Sequence, residues 1–170
     1  MPAAPLPADL RVRDATIDDL PAIVAMLADD ELGRQRERNE SPLPDCYHRA
    51  FAELDADTHN RLLVAETDDR VIATLHFTLI PSLSFQGERR AQIQAVRVDR
   101  NWRGRGIGEW LFREAIDIAR RTGCRLVQLT TNNVRADARR FYERLGFEAS
   151  HVGMKIDLHK HNPGTPTGRE

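Results

Sequence analysis

Between Arg103 and Gly108 the chain reads Arg103-Gly104-Arg105-Gly106-Ile107-Gly108, placed after an extended apolar run and before a helical one. Such a loop exposes several backbone N–H groups at once, because glycine turns tightly and puts no side chain between backbone and ligand. The first-turn amides of a following helix lack internal partners, and the helix dipole adds partial positive charge there. The combination is a socket for an anion, most naturally a phosphate or pyrophosphate. Arg103 and Arg105 add direct charge. The plainer alternative is a glycine-rich surface turn flanked by solvated arginines, since short glycine motifs recur by chance. Spacing excludes two familiar phosphate motifs. GxxxxGK[ST] fails because no Lys-Ser or Lys-Thr pair follows. GxGxxG fails at Glu109, and the next strand runs into Thr130-Thr131-Asn132-Asn133 rather than ending in an acid.

A second segment, Ala138-Arg139-Arg140-Phe141-Tyr142-Glu143-Arg144-Leu145-Gly146-Phe147, follows one helix and one strand later. The first loop matches R/Q-x-x-G-x-G/A and the second segment A-x-x-F-Y-x-x-x-G-F. In this order and at this separation the pair resembles the acetyl-CoA site of the GNAT N-acetyltransferase superfamily, over roughly residues 10–158. The resemblance implies an α/β fold with a mixed, mostly antiparallel central sheet, helices on both faces, and fourth and fifth strands splayed apart. It implies acetyl-CoA as co-substrate, no metal, a primary amine as acceptor and a homodimer. The backbone of Ala95, Val96, Arg97 and Val98 would bond the pantetheine amides as an added strand does. Arg103, Gly104, Arg105, Gly106, Ile107 and Gly108 would hold the pyrophosphate, and Asn132 would face the cofactor. Many family members carry an Asn where this chain has Arg135; an arginine there can meet a phosphate instead.

Acetyl transfer sets its own demands. An amine attacks a thioester only when neutral, yet a primary amine with pKa near ~10.4 is almost wholly protonated at neutral pH. A base or a relayed water must take the proton, and donors must steady the oxyanion. The leaving thiolate then benefits from a proton. By resemblance Tyr142 is that general acid and also a cofactor contact; the alternative is a core tyrosine with a satisfied hydroxyl. Family members often carry a glutamate on the fourth strand where this chain has Gln92 and Gln94. Neither amide takes a proton at neutral pH, but Gln94 can orient a water or the acceptor amine. Asp30 and Glu31 lie in the segment that lines the acceptor site in this superfamily, and are candidates to hold a cationic amine. Glu31, Asp30, His76 and His151 could each act as the base through a water, and His76 is also a candidate on the acceptor side; the alternative for His76, within its strand, is a hydrogen-bonded half-buried residue.

These residues need positioning elements. Leu10 to Arg13 reads as a short strand. Thr16 or Asp18 caps a helix to about Ala28, with Leu20, Ile23, Val24 and Leu27 as its apolar stripe. Asp29 to Pro44 is irregular, and Asp45 to about Leu54 is a second helix. Arg61 to Glu66 and Val71 to Pro81 form a hairpin about Asp68-Asp69-Arg70. Ala91 to Val98 is the strand that feeds the glycine loop, and Glu109 to Thr122 the helix after it, stopped by Gly123. Arg125 to Thr131 has the continuous apolar character of a buried strand. A helix carrying Val134, Ala138, Phe141 and Leu145 stops at Gly146. Glu148 to His151 and Val152 to Leu158 read as closing strands. The domain plan is a flexible N-terminus over 1–9, one domain over 10–158 and a disordered tail over 159–170.

Composition narrows the function classes. Twenty-five Lys and Arg stand against 26 Asp and Glu, a net charge of -1, so no basic footprint for nucleic acid or an anionic membrane exists. No apolar run approaches the ~20 residues of a membrane span, and residues 1–10 lack a signal-peptide core. Cys46 and Cys124 fit no metal spacing. The expectation is a cytoplasmic N-acetyltransferase that moves acetyl from acetyl-CoA to a small-molecule amine in a ternary complex. A non-catalytic acyl-CoA-binding or sensing module, and a protein N-acetyltransferase, remain alternatives.

Overall fold

Five strands lie in one sheet in the order β1-β2-β3-β4-β5, so spatial and sequence order coincide. They are β1 (Arg11–Asp14), β2 (Asn60–Thr67), β3 (Arg70–Ile80), β4 (Arg89–Val98) and β5 (Cys124–Leu129). Neighbours among the first four are antiparallel, whereas β4 and β5 run parallel. A parallel pair needs a long crossover, and the helix Ile107–Arg121 supplies it. The computed structural model describes residues 5–29, 33–131 and 136–158. The chain divides into two units, Met1–Leu129, which holds the sheet, and Thr130–Glu170.

In β2 and β3 buried residues run consecutively: Leu63, Val64 and Ala65, then Ile72, Ala73, Thr74 and Leu75. Neighbouring strand residues point to opposite faces, so both faces of the sheet are covered, as the mixed α/β expectation requires. Helix α1 (Leu20–Ala28) contributes Leu20, Ile23 and Val24 to the core. Helix α2 is Asp45–Ala56. Helix α3 (Ile107–Arg121) buries Ile107, Leu111, Phe112, Ala115 and Ile118 at helical spacing, which is why that stripe was readable. Each fully buried Leu, Ile or Phe contributes about 1.5–3 kcal/mol.

Local chemistry explains the boundaries. Thr16 and Asp19 form a reciprocal capping box over the short turn Ile17–Asp19 that leads into α1, and Pro21 sits where a helix loses no N–H bond. The β2–β3 hairpin turns on Asp68 and Asp69, both left-handed at φ 48° and 54°, a conformation that acidic and amide side chains tolerate better than most. The Asp9 carboxylate accepts from Thr67 Oγ1 and Asp68 N, which pins the turn.

The expected closing strands are absent. Residues 147–158 carry no strand, although Val152, Met154, Ile156 and Leu158 alternate with polar residues as a strand would. Alternation creates a face, but a ladder needs a partner. Among the described residues of the second unit there is one helix, α4 (Ala136–Arg144), and no strand. The tail expected over 159–170 lies outside the described residues.

Candidate active site

The glycine loop is built as its sequence demands. Gly104 and Gly106 have φ of +75° and +81°, where an L side chain is strained. Gly106 is the N-cap of α3, a helix of 15 residues, and its carbonyl accepts the first helical bond from Trp110 N. A Cβ on Gly104 would meet nothing within 4 Å, and one on Gly106 only Leu6 Cδ2 at 3.8 Å. The glycines therefore serve backbone conformation and leave open space beside the loop. First-turn amides of α3 lack intrahelical acceptors, and the dipole of a long helix points its positive end there.

The two arginines are held differently. Arg103 donates from Nε to Val98 O at 3.0 Å and from Nη2 to Asp29 Oδ2 at 2.9 Å and Asp29 O at 3.2 Å. It thus ties the strand end, the loop and the end of α1 together. Arg100 joins the same carboxylate at 3.2 Å. Arg105 stacks over the Trp102 ring, 5.0 Å from its centroid. Beside Asp29 lies a recess of about 400 Å³ lined by Ala25, Ala28, Arg34, Asn39 and Arg100. The Asp29 anchor spans 74 residues of sequence, and no local signal reveals it.

β4 runs on past the end of its parallel neighbour. The β4–β5 register ends at Ile93↔Leu129, although β4 continues to Val98. Against β3, Gln94 faces His76 and Arg97 faces Thr74, so Ala95 and Val96 together oppose Leu75 alone. Ala95 has φ of 53°, the strained residue of a β-bulge, and bulges commonly re-aim backbone groups beside functional sites. The backbone of Ala95 to Val98 is thus an irregular stretch running into the glycine loop.

Gln94 is exposed beside the bulge, and its Nε2 donates to His76 Nδ1 at 2.8 Å. His76 is half-buried on β3, and its Nε2 meets Asn60 Oδ1 at 2.7 Å. Both ring nitrogens are therefore engaged within the sheet, Nε2 by Asn60 and Nδ1 by Gln94. Burial pushes the His76 pKa below its ordinary value, which favours the neutral ring. Gln92 Oε1 accepts from Gln128 Nε2 at 2.8 Å across to β5. Asp30 and Glu31 lie outside the described residues, as do Asn132 and Arg135.

In the second unit the motif around Tyr142 is a helix stop of defined geometry. Phe147 N donates to Tyr142 O at 3.0 Å and Gly146 N to Glu143 O at 3.0 Å, with Gly146 at φ +91°. This is the paired-bond C-cap that glycine favours. The accompanying contact is aromatic: the Tyr142 ring meets Phe147 edge-on at 6.1 Å and Phe141 at 5.4 Å. Gly146 and Phe147 therefore fix the tyrosine from its C-terminal side, which accounts for the spacing of tyrosine, glycine and phenylalanine. The described residues contain no cluster of three or more metal-ligating side chains, and no helix among them is long and apolar enough to cross a membrane.

The chain is similar to known proteins in sequence and fold. A crystal structure titled a transcriptional regulator, from Bacillus halodurans C-125, is 49% identical, with a TM-score of 0.85 over 88% of this chain and 99% of that one. A putative acetyltransferase from Agrobacterium tumefaciens is 25% identical, with a TM-score of 0.77 over 86% and 99% of the two chains. Aminoalkylphosphonate N-acetyltransferase from Salmonella typhimurium is 32% identical over 146 residues, 82% of this chain and 86% of that protein. The chain spans a smaller part of three other curated N-acetyltransferases, 51%, 27% and 58% of their lengths. The sequence profile of the acetyltransferase (GNAT) family matches residues 25–147. That match takes in the bulged strand, the glycine loop and the Tyr142 helix stop together, and the chain belongs to this family.

Proposed function

We propose that this protein transfers an acetyl group from acetyl-CoA to the primary amine of a small molecule, directly, in a ternary complex. The observation that carries this reading is the glycine loop: two left-handed glycines with open space beside them, at the head of a 15-residue helix, next to a bulged strand end. Those residues fit a pyrophosphate and its pantetheine arm. Gly104 to Gly108 would hold the phosphates through backbone amides, with Arg105 adding charge, and Ala95 to Val98 would hold the arm's amides. When bound, acetyl-CoA supplies an acyl thioester that is open to attack by a neutral amine.

The chain's own residues do the rest. Gln94 orients the amine, and a water takes its proton, since neither Gln92 nor Gln94 is a base. The Tyr142 hydroxyl gives a proton to the departing thiolate. Asp30 and Glu31 attract the cationic form of the acceptor. Aminoalkylphosphonates are the first acceptors to try, on the strength of the Salmonella relative. A cytoplasmic homodimer belongs to the same proposal.

One observation favours a second reading. The Bacillus halodurans structure at 49% identity is titled a transcriptional regulator, which supports an acyl-CoA-sensing role without turnover. The deciding experiment measures thiol release from acetyl-CoA against a panel of amines, for wild type and Tyr142→Phe. Acceptor-dependent release that falls at least about tenfold in the variant, with cofactor affinity unchanged, supports acetyl transfer with Tyr142 as acid. Tight cofactor binding with no amine-stimulated release favours sensing. Equal rates in the two proteins would return Tyr142 to a packing role.

A further inference from the structure

Four side chains from separate parts of the first unit form one hydrogen-bonded chain, and its polarity can be read from one end. Asp57 lies just past α2, and an ionised carboxylate only accepts. A low pKa keeps it ionised, held down by the backbone N–H of His59 and by Asn60. Asn60 must therefore turn its NH2 to Asp57, and Nδ2 stands 2.7 Å from Asp57 Oδ2. Its remaining group, Oδ1, only accepts, and faces His76 Nε2 at 2.7 Å and Thr78 Oγ1 at 2.8 Å. The His76 ring proton therefore sits on Nε2, which leaves a lone pair on Nδ1. Gln94 meets that lone pair with its NH2 at 2.8 Å. Each assignment forces the next. The last atom in the series is Gln94 Oε1, on an exposed residue beside the bulge.

We propose that Asp57, Asn60 and His76 are positioning residues that lock the Gln94 amide so that its Oε1, and not its NH2, receives an N–H of the acceptor amine. This rests on the acetyltransferase reading above. The physical reason is selection between two amide orientations of nearly equal shape. With Oε1 outward, Gln94 accepts from an amine and leaves the nitrogen lone pair directed elsewhere. With NH2 outward, it would donate to that lone pair and blunt the nucleophile. An isolated exposed glutamine samples both; one end-stopped by a carboxylate three side chains away does not. The arrangement also accounts for a glutamine at this position. A glutamate would set a second acceptor against the lone pair of His76 Nδ1, and the chain could not be satisfied without a further proton.

The test has one readout that needs no turnover. Nitrogen-15 spectra of the imidazole in wild type at neutral pH should show His76 as the Nε2–H tautomer, and in Asp57→Ala a mixture of tautomers. An Nδ1–H tautomer in wild type, or an unchanged tautomer in Asp57→Ala, would overturn the proposal. The kinetic arm compares His76→Leu, which removes the acceptor at Nδ1, with His76→Asn, whose Oδ1 replaces it. With an aminoalkylphosphonate as acceptor, kcat/KM should fall about tenfold in the leucine variant and recover to within about threefold in the asparagine variant, with acetyl-CoA affinity the same in both. Gln94→Ala separates the two levels of the argument. If it acetylates like wild type, the role given to Gln94 above is wrong. If it is impaired while His76→Leu is not, the positioning chain alone is wrong.

Discussion

Replacing Gly106 by alanine isolates what the glycine loop requires. At φ +81° and ψ -4° the residue is left-handed, which costs an L side chain about 1–2 kcal/mol. Alanine also lowers the entropy of the unfolded chain, which returns about 0.4–1 kcal/mol. Sterics add nothing, because the new Cβ would meet only Leu6 Cδ2 at an ordinary 3.8 Å. The net expectation is a loss of about 1 kcal/mol, or about 2–4 °C in Tm for a domain of this size. Gly104→Ala, at φ +75° with nothing within 4 Å, should cost the same. Thermal and denaturant unfolding measure both. Because the protein leaves the space open, any fall in acetyl-CoA affinity beyond this small stability loss reports the ligand's own approach to the loop; calorimetric titration should show at least about a tenfold weakening for Gly106→Ala. A variant as stable as wild type would mean the left-handed turn is dispensable. One that loses more than about 3 kcal/mol would mean the added methyl collides with the protein. Either result would refute the reasoning.

Other perturbations follow from the same geometry. Asp29→Ala removes the anchor of Arg103 and Arg100, and acetyl-CoA affinity should fall severalfold, as calorimetry would show, while Tm changes by only a few degrees. Gly146→Ala strains the turn that holds Tyr142, so kcat should drop with acetyl-CoA affinity unchanged in a steady-state assay. The pH dependence of stability should come from Asp19 and Glu66. Hydrogen bonds from Arg13 outweigh burial and, with Thr16, lower the Asp19 pKa; for Glu66 burial acts upward but is outweighed by Arg11 and Arg13. Carboxylates lowered in the folded state stabilise it above their ordinary values of 3.8 and 4.5, and that contribution is lost as pH falls through the lowered ones. Urea unfolding should therefore show declining stability below about pH 4.5. Arg13→Met should cost about 2–3 kcal/mol at neutral pH, less than a fully buried pair because a third of the arginine side chain is open to solvent. That deficit should shrink in acid as the stranded carboxylates protonate, and a deficit independent of pH would count against the cluster.

Legibility in the sequence followed the range of the interaction. Helix α3 and strands β2 to β4 were readable because periodicity and stop residues are local, and so were the glycine loop and the turn at Gly146; β5 was found in place but is not the buried strand its apolar run suggested, since it ends the sheet order and none of its residues is buried. The bulge was not, since Ala95 departs from strand geometry only where β3 offers Leu75 alone against two residues. Nor was the Asp29 anchor on Arg103, or the series from Asp57 to Gln94, whose members meet only after three strands have paired. The glutamine where a glutamate is common read as a missing base; in the structure its Nε2 faces His76 Nδ1 at 2.8 Å. The closing strands failed in the opposite way. The alternation of Val152, Met154, Ile156 and Leu158 is a local signal without a neighbouring strand in its own unit to answer it.

The shortest strand has a bearing on how molecules of this protein meet one another. β1 is four residues long and stands at one end of the sheet order, where an unpaired row of amides invites a strand from another molecule. Three of its four side chains are charged. Arg11 and Arg13 are drawn to Glu66, and Asp14 to Arg61 at 2.7 Å. A foreign strand docking there would gain at most four residues of ladder and would crowd ionic groups already committed to one another. Concentrated protein should therefore not grow into cross-strand fibres along β1.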